Sequence, residues 1–194
     1  MVEKDEIERR VLEGDSYEQA AVVVNRAFPL SLQRKIQFGI GGLLLSVLLA
    51  PLLSLQQDTI IAFEGAEPVA FRLGTFVLLG ITTVFLAGLI LIWLEPRAHS
   101  LSTLERARKL VRIEEMVMWY QLLGLAFVVI GIAIAAVGLI STDTIGLLYA
   151  YDVQVYGSAG FVLVDVWVIS AVGGLLAAVL MVFRSVLKMK SADG

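Results

Sequence analysis

The chain has no cysteine, and that one absence removes disulfides, thiolate metal sites and cysteine nucleophiles. Histidine is almost as scarce: His99 is the only one. It has no carboxylate pair at metal-ligand spacing, so no metal site is expected. Charge is thin as well, with Asp, Glu, Lys and Arg making up 17% of 194 residues against 58% hydrophobic. That balance departs from the soluble average toward membrane proteins. No phosphate loop, dinucleotide fingerprint, Gly-x-Ser-x-Gly elbow or pair of intramembrane aspartates occurs. Hence no catalytic set is indicated and neither an enzymatic activity nor a cofactor is expected.

What is present is apolar residues gathered into four blocks, 38–55, 73–94, 119–140 and 161–183. Each is close to the ~20 residues that a helix needs to cross ~30 Å of hydrocarbon. Lipid offers a backbone no hydrogen-bond partners, so uninterrupted blocks of this length must be helical. The expected fold is an all-α integral membrane protein, a bundle of four transmembrane helices. Residues 36–184 form the membrane domain, preceded by an amphipathic helical arm over 1–35 and followed by a tail over 185–194. The charged first 35 residues contain no apolar core with a cleavage site, so no removable signal peptide is expected.

Six Lys and Arg precede the first block (Lys4, Arg9, Arg10, Arg26, Arg34, Lys35), one (Arg72) lies in the first loop, five in the second, none in the third and three in the tail. This alternation is the positive-inside pattern. It places both termini and the loop 95–118 in the cytoplasm, with loops 56–72 and 141–160 outside, in the cell membrane. The acidic, cysteine-free composition suits a prokaryotic chain.

Local signals refine the outline. In the arm, Asp15 with Glu18, or Ser16 with Gln19, can open a helix that Pro29 ends, and Ser31 can cap the first span. The arm is expected to dock on the protein rather than lie on lipid. Glu95-Pro96-Arg97 reads as a stop, and Ser102 with Glu105 as a capping box for a helix running unbroken from Thr103 to Ile140. The short external loops are expected to carry β-hairpin structure. Residues 60–63 and 69–72 flank a Gly/Pro turn, and Tyr149, Tyr151, Val153 and Val155 alternate with Ala150, Asp152 and Gln154. A shift of 85 residues superposes Gly39 on Gly124 and Gly88 on Gly173, a faint repeat.

Candidate functional residues are few. Asp165 is the one acidic residue inside an apolar block, which makes it a candidate intramembrane polar site with Arg72 as its partner. Pro51 removes a hydrogen bond from the first span and can kink it. Gly124, Gly131 and Gly138, spaced seven apart, and Ser170, Gly174 and Ala178, spaced four apart alongside Gly173 and Ala177, are candidate helix-packing stripes. Arg106, Arg108, Lys109 and Arg112 form a basic patch, with Glu105 placed to pair with Lys109. The patch fits lipid phosphate or the acidic residues Glu3, Asp5, Glu6 and Glu8 of the same chain. Glu95, Arg97 and His99 cluster in sequence as a weak acid-base set.

The expected function is therefore non-enzymatic. Its partners are the lipid bilayer and either itself or other membrane proteins, as a structural, assembly or regulatory component. No nucleic acid and no identifiable small-molecule substrate is implied. The alternative is a small oligomeric transporter or channel.

Overall fold

A computed structural model of the chain describes residues 15–24, 26–56, 74–98, 100–151 and 166–192. The described residues form eight helices and no strand: α1 Ser16–Val23, α2 Leu32–Ser46, α3 Leu49–Ser54, α4 Gly74–Ala98, α5 Leu104–Ala135, α6 Val137–Ile140, α7 Thr142–Ala150 and α8 Val166–Ala192. Four segments are long and apolar enough to cross a membrane: α2 with α3, α4, α5, and α8. Their outward faces are apolar too. Phe76, Leu79 and Leu86 of α4, Leu123 and Ile130 of α5, and Leu175 and Val182 of α8 are all exposed. Water would not tolerate so continuous an apolar surface, whereas acyl chains match it.

Helix starts follow the expected caps in two places. The Asp15 carboxylate accepts the Glu18 amide at 2.8 Å, and the Ser31 hydroxyl accepts the Arg34 amide at 3.4 Å. Elsewhere the boundaries move. Pro96 lies inside the last turn of α4, which runs on to Ala98. There Arg97 stacks 3.7 Å over the Trp93 ring and donates to the Trp93 carbonyl at 2.9 Å. A proline in the last turn forfeits one bond without ending the helix at once. At the head of α5 the cap is Thr103, with no side-chain cap bond, so Ser102 stands one residue too early for a capping box. That helix also breaks at Ala136, before Ile140.

The loop 141–160 holds a helix where a strand was expected at its centre. The Ser141 hydroxyl accepts the Thr144 amide at 3.3 Å, and α7 continues through Tyr149 and Ala150. A hydroxyl cap with Asp143 in the first turn outweighs a period-two pattern of only a few residues. The other hairpin signal, 60–72, and residues 152–160 lie outside the described residues.

The spans pack up-down-up-down, with α2 and α4 as the central pair and α5 and α8 on opposite flanks. α5 packs most extensively on α4, where two glycines meet. A Cβ at Gly124 would lie 2.7 Å from the Gly80 carbonyl oxygen, and one at Gly80 would lie 2.6 Å from that of Gly124. The stripe that contains Gly124 therefore faces inward: Gly131 and Ala135 are also buried, while Gly138 falls beyond the break, in α6.

On α8 the two adjacent small-residue lines separate, one residue or about 100° apart around the helix. Ser170 is buried and Gly174 half-buried, but Ala178 is exposed. The buried line runs Ile169, Ser170, Gly173, Ala177, Leu180. Positions four apart drift around a 3.6-residue helix, so a stripe spaced strictly by four leaves the contact.

α8 meets the first span at a break. Pro51 has no amide for the Val47 carbonyl and its ring crowds that turn. Around it the bonds tighten, with the Val47 and Leu48 amides donating three residues back to Leu44 and Leu45, each at 3.1 Å. The Ala50 amide donates instead to the Ser170 hydroxyl at 3.0 Å, and that hydroxyl donates to the Ser46 carbonyl at 3.3 Å. Ser170 thus stands inside the backbone ladder between Ser46 and Ala50, a water-like bridge supplied by another helix. Gly173 clears the space beside it, since a Cβ there would collide with the Ser46 hydroxyl.

Ser170→Ala removes the bridge, so the Ala50 amide loses its acceptor and the Ser46 carbonyl loses its donor. The expected loss is about 1–3 kcal/mol of stability, read as a lower unfolding midpoint in detergent. Gly124→Leu, which must push α4 and α5 apart, is expected to lower the midpoint further than Ser170→Ala; an unchanged midpoint would contradict the close crossing.

Candidate functional site

Asp165 and Arg72 lie outside the described residues, as does His99. Of the other candidates, the packing residues are placed above, and Arg106, Arg108, Lys109 and Arg112 are all exposed. Glu105 and Lys109 form the expected pair at 2.9 Å, with both side chains in solvent. Glu95 is bound by Arg184 through two contacts of 3.2 and 3.0 Å. Arg97 is stacked on Trp93, so Glu95 and Arg97 are held by different partners. Among the described residues, no three His, Asp or Glu side chains come together as a metal site.

The polar centre among the described residues is elsewhere, and of its members only Arg26 and Lys35 stood out in the sequence, as topology markers. Lys35, on α2, and Glu114, on α5, are both fully buried. The Lys35 ammonium lies 2.8 Å from Glu114 Oε1 and 2.8 Å from Glu115 Oε1. Arg26, in the connection from α1 to α2, donates through Nη2 to Glu114 Oε1 at 2.7 Å. The Tyr17 hydroxyl, on α1, donates to Glu114 Oε2 at 2.5 Å. Glu115 Oε2 takes the amides of Ala27 at 2.9 Å and Phe28 at 3.2 Å.

Each of the four carboxylate oxygens therefore has a donor, and two cations balance two anions. Below them Gln121, also buried, donates to the Lys35 carbonyl at 3.0 Å. Its approach occupies the space that Gly39 leaves open. Phe28 then closes on the Trp119 ring edge-on, with centroids 5.0 Å apart.

The local sequence explains why these groups converge. The buried positions of α5 run Ala107, Leu110, Val111, Glu114, Val117, Met118, Gln121, Gly124. Glu114 and Gln121 thus occupy the helix face that packs inward, where every other position is small or apolar. A carboxylate and an amide in that register were the available signal, because a charge on a packing face demands a partner. Glu115 is the next residue and turns toward the arm.

Burial first, and then the charge and hydrogen bond of Glu114, push the Tyr17 hydroxyl well above its ordinary value of 10.0, with Arg26 opposing. Such a phenol keeps its proton and acts as a donor throughout the physiological range. No family model, curated protein or solved structure matches this chain.

The carboxylate oxygens of the cluster are all held by the chain's own donors, while Arg26 Nε and the nearby Gln121 Oε1 are buried without a hydrogen-bond partner. The cluster thus does what buried ion pairs do well: it fixes register and orientation. The arm is fastened to α5 through a side chain from α1, a side chain from the connection and two backbone amides.

Lys35→Met leaves two glutamates facing too few cations. The expected cost is about 3–5 kcal/mol, together with faster tryptic cleavage after Arg26 as the arm loosens. In an alkaline titration of near-ultraviolet absorbance, Tyr17→Phe is expected to remove none of the signal that rises near pH 10.0, because Tyr17 ionises later than an ordinary tyrosine. Since the folded value is the higher one, this contribution to stability is complete below pH 10.0 and is lost as the pH climbs through the raised value.

Proposed function

We propose that this chain is a non-enzymatic multi-pass component of a prokaryotic cell membrane, with both termini in the cytoplasm. In this reading it acts as a structural, assembly or regulatory subunit that associates with itself or with other membrane proteins. The observation that carries it is the commitment of the interior polar groups to joining helices. Tyr17, Arg26, Lys35, Glu114 and Glu115 secure the arm, Ser170 bridges the first span, and Gln56 donates to the Leu52 and Ala135 carbonyls at 2.9 and 2.8 Å. A molecule whose polar chemistry is spent on its own architecture offers its apolar flanks and its charged end to partners.

A small oligomeric transporter or channel is the second reading, favoured by the break at Val47–Leu48, since broken helices form many transport sites. In this chain Ser170 already occupies the freed backbone groups, which weighs toward packing. Flux of ions or small solutes into reconstituted vesicles, altered by Asp165→Asn, would support it.

Two measurements test the main reading. Native mass spectrometry from lipid nanodiscs is expected to release oligomers or a complex, and a partnerless monomer alone would overturn it. Because the chain has no cysteine, single substitutions report sidedness cleanly. An impermeant maleimide added to intact cells is expected to label Ser158→Cys and to reach Ser102→Cys and Ser191→Cys only after lysis. Labelling of Ser102→Cys from outside would reverse the topology.

A further inference from the structure

The outward face of α5 continues past the apolar part of the helix as a column of cations. Arg112 stands seven residues before Trp119, and Lys109 seven before Met116 and eleven before Tyr120; separations of seven and eleven return to the same side of a helix. Met116, Trp119, Tyr120 and Leu123 are all exposed, at 54%, 61%, 55% and 52%. The side of α5 that meets acyl chains is thus the side that carries the cations.

Height along the bundle places those cations. Gly124 lies beside Gly80, Thr83 and Val84, and Gly88 lies beside Leu180. Counting ~1.5 Å per residue from these crossings sets Trp167 of α8 level with Thr75 of α4, about 27 Å from Trp93. That is close to the ~30 Å of hydrocarbon, and exposed tryptophans are the usual markers of its two borders.

By the same count Arg112 is level with Trp93 and Glu95, to within a turn. Lys109, Arg108 and Arg106 then fall about 4 to 9 Å further out. The headgroup layer is roughly 5–7 Å deep on each side. Arginine and lysine side chains easily span the remaining distance.

Among the described residues, this column keeps a net positive charge. From residue 104 to residue 112 there are four cations, Arg106, Arg108, Lys109 and Arg112, and one carboxylate, Glu105, a net of plus three. Glu105 binds Lys109; Arg106, Arg108 and Arg112 have no ion pair among the described residues. Glu114 and Glu115 are turned inward and already held by Lys35 and Arg26. α5 is one continuous helix from Leu104 to Ala135, so the cations cannot swing away from the membrane.

We propose that this face of α5, through Arg106, Arg108, Lys109 and Arg112, binds the headgroups of anionic phospholipids. The acyl chains of the same lipids lie along Met116, Trp119 and Leu123. The site is a shallow annular one, selective by charge, built on a rigid helix whose depth is set by the bundle.

Trp119 is a reporter on the same face. In the full-length Trp93→Phe/Trp167→Phe protein, it is the only tryptophan left. Reconstituted into phosphatidylcholine, its fluorescence should be quenched more strongly by acyl-brominated phosphatidylglycerol than by acyl-brominated phosphatidylcholine at equal mole fraction. A cation near an anionic surface is worth roughly a five-fold preference at low salt. A relative affinity of several-fold is therefore expected, falling as salt is raised.

Neutralising the column with Arg106→Gln/Arg108→Gln/Lys109→Gln/Arg112→Gln, all at exposed positions, should bring the ratio to about one. Equal quenching by both lipids in the parent protein would overturn the proposal. So would an anionic preference that survives neutralisation or is insensitive to salt. Inorganic phosphate that competes beyond chloride of equal ionic strength would assign the column to a free anion. A preference that emerges only when Glu3, Asp5, Glu6 and Glu8 are neutralised would assign it to the chain's own acidic segment. Either result would displace the lipid.

Discussion

Hydrocarbon supplies no hydrogen bonds, and the internal geometry of this bundle follows from that. A backbone gap that water would fill in a soluble protein has to be filled by a side chain of the protein itself. Such a gap lies in the first span beside Pro51, and Ser170 of α8 fills it by accepting from the Ala50 amide and donating to the Ser46 carbonyl. Gln56 does comparable work at the same end, donating to the last carbonyl of α5 as well as to its own helix. Thr82 and Thr83 bond back to Leu78 and Leu79 at 2.8 and 2.7 Å. The Ser170 and Gln56 contacts join helices through backbone groups, which have one position, rather than through apolar side chains, which have many.

The same constraint divides what was legible in the sequence from what was not. Spans were legible because lipid forces apolar runs of fixed length into helices, and so were the Asp15 and Ser31 caps, which depend on neighbours only three residues away. Which face of each helix points inward was half legible. Gly124 and Ser170 stood out as small or polar residues in apolar runs, yet Ala178 sits on the outside, because the partner helix decides which of two adjacent stripes is used. All four glycines related by the 85-residue shift, Gly39, Gly88, Gly124 and Gly173, lie where another helix comes within contact. α7 was missed because a hydroxyl cap at Ser141 competes with an alternation of apolar residues, and local pattern alone does not rank the two.

The buried ion cluster was the least legible feature, and the reason is physical. Arg26 and Lys35 precede a span, where cations are expected for topology, so their charge already had an explanation. Glu114 and Glu115 sit among basic residues, where a carboxylate looks solvated. Only the inward register of Glu114, between Val111 and Met118, marks it as different. Pairing across 80 residues of sequence between Lys35 and Glu115 leaves no trace in either local segment.

The cluster's height accounts for how the fold tolerates it. Counting from the Gly80–Gly124 crossing, Glu114 and Glu115 are level with the last turns of α4, within a few ångströms of Trp93. Two ion pairs at the bilayer centre would be costly, but near the border the desolvation is smaller and the arm itself completes the shield. The two parts complete each other: without the arm the glutamates would face lipid headgroups with fewer donors, and without Glu115 the Ala27 and Phe28 amides would lose their acceptor. Apolar residues in the same places would hold the arm in many registers, since Val22, Val23 and Val24 are interchangeable against a greasy surface. A set of directional bonds permits one. The cluster therefore contributes specificity more than raw stability, and it positions the arm at the end of the bundle where α5 projects its outward column of cations.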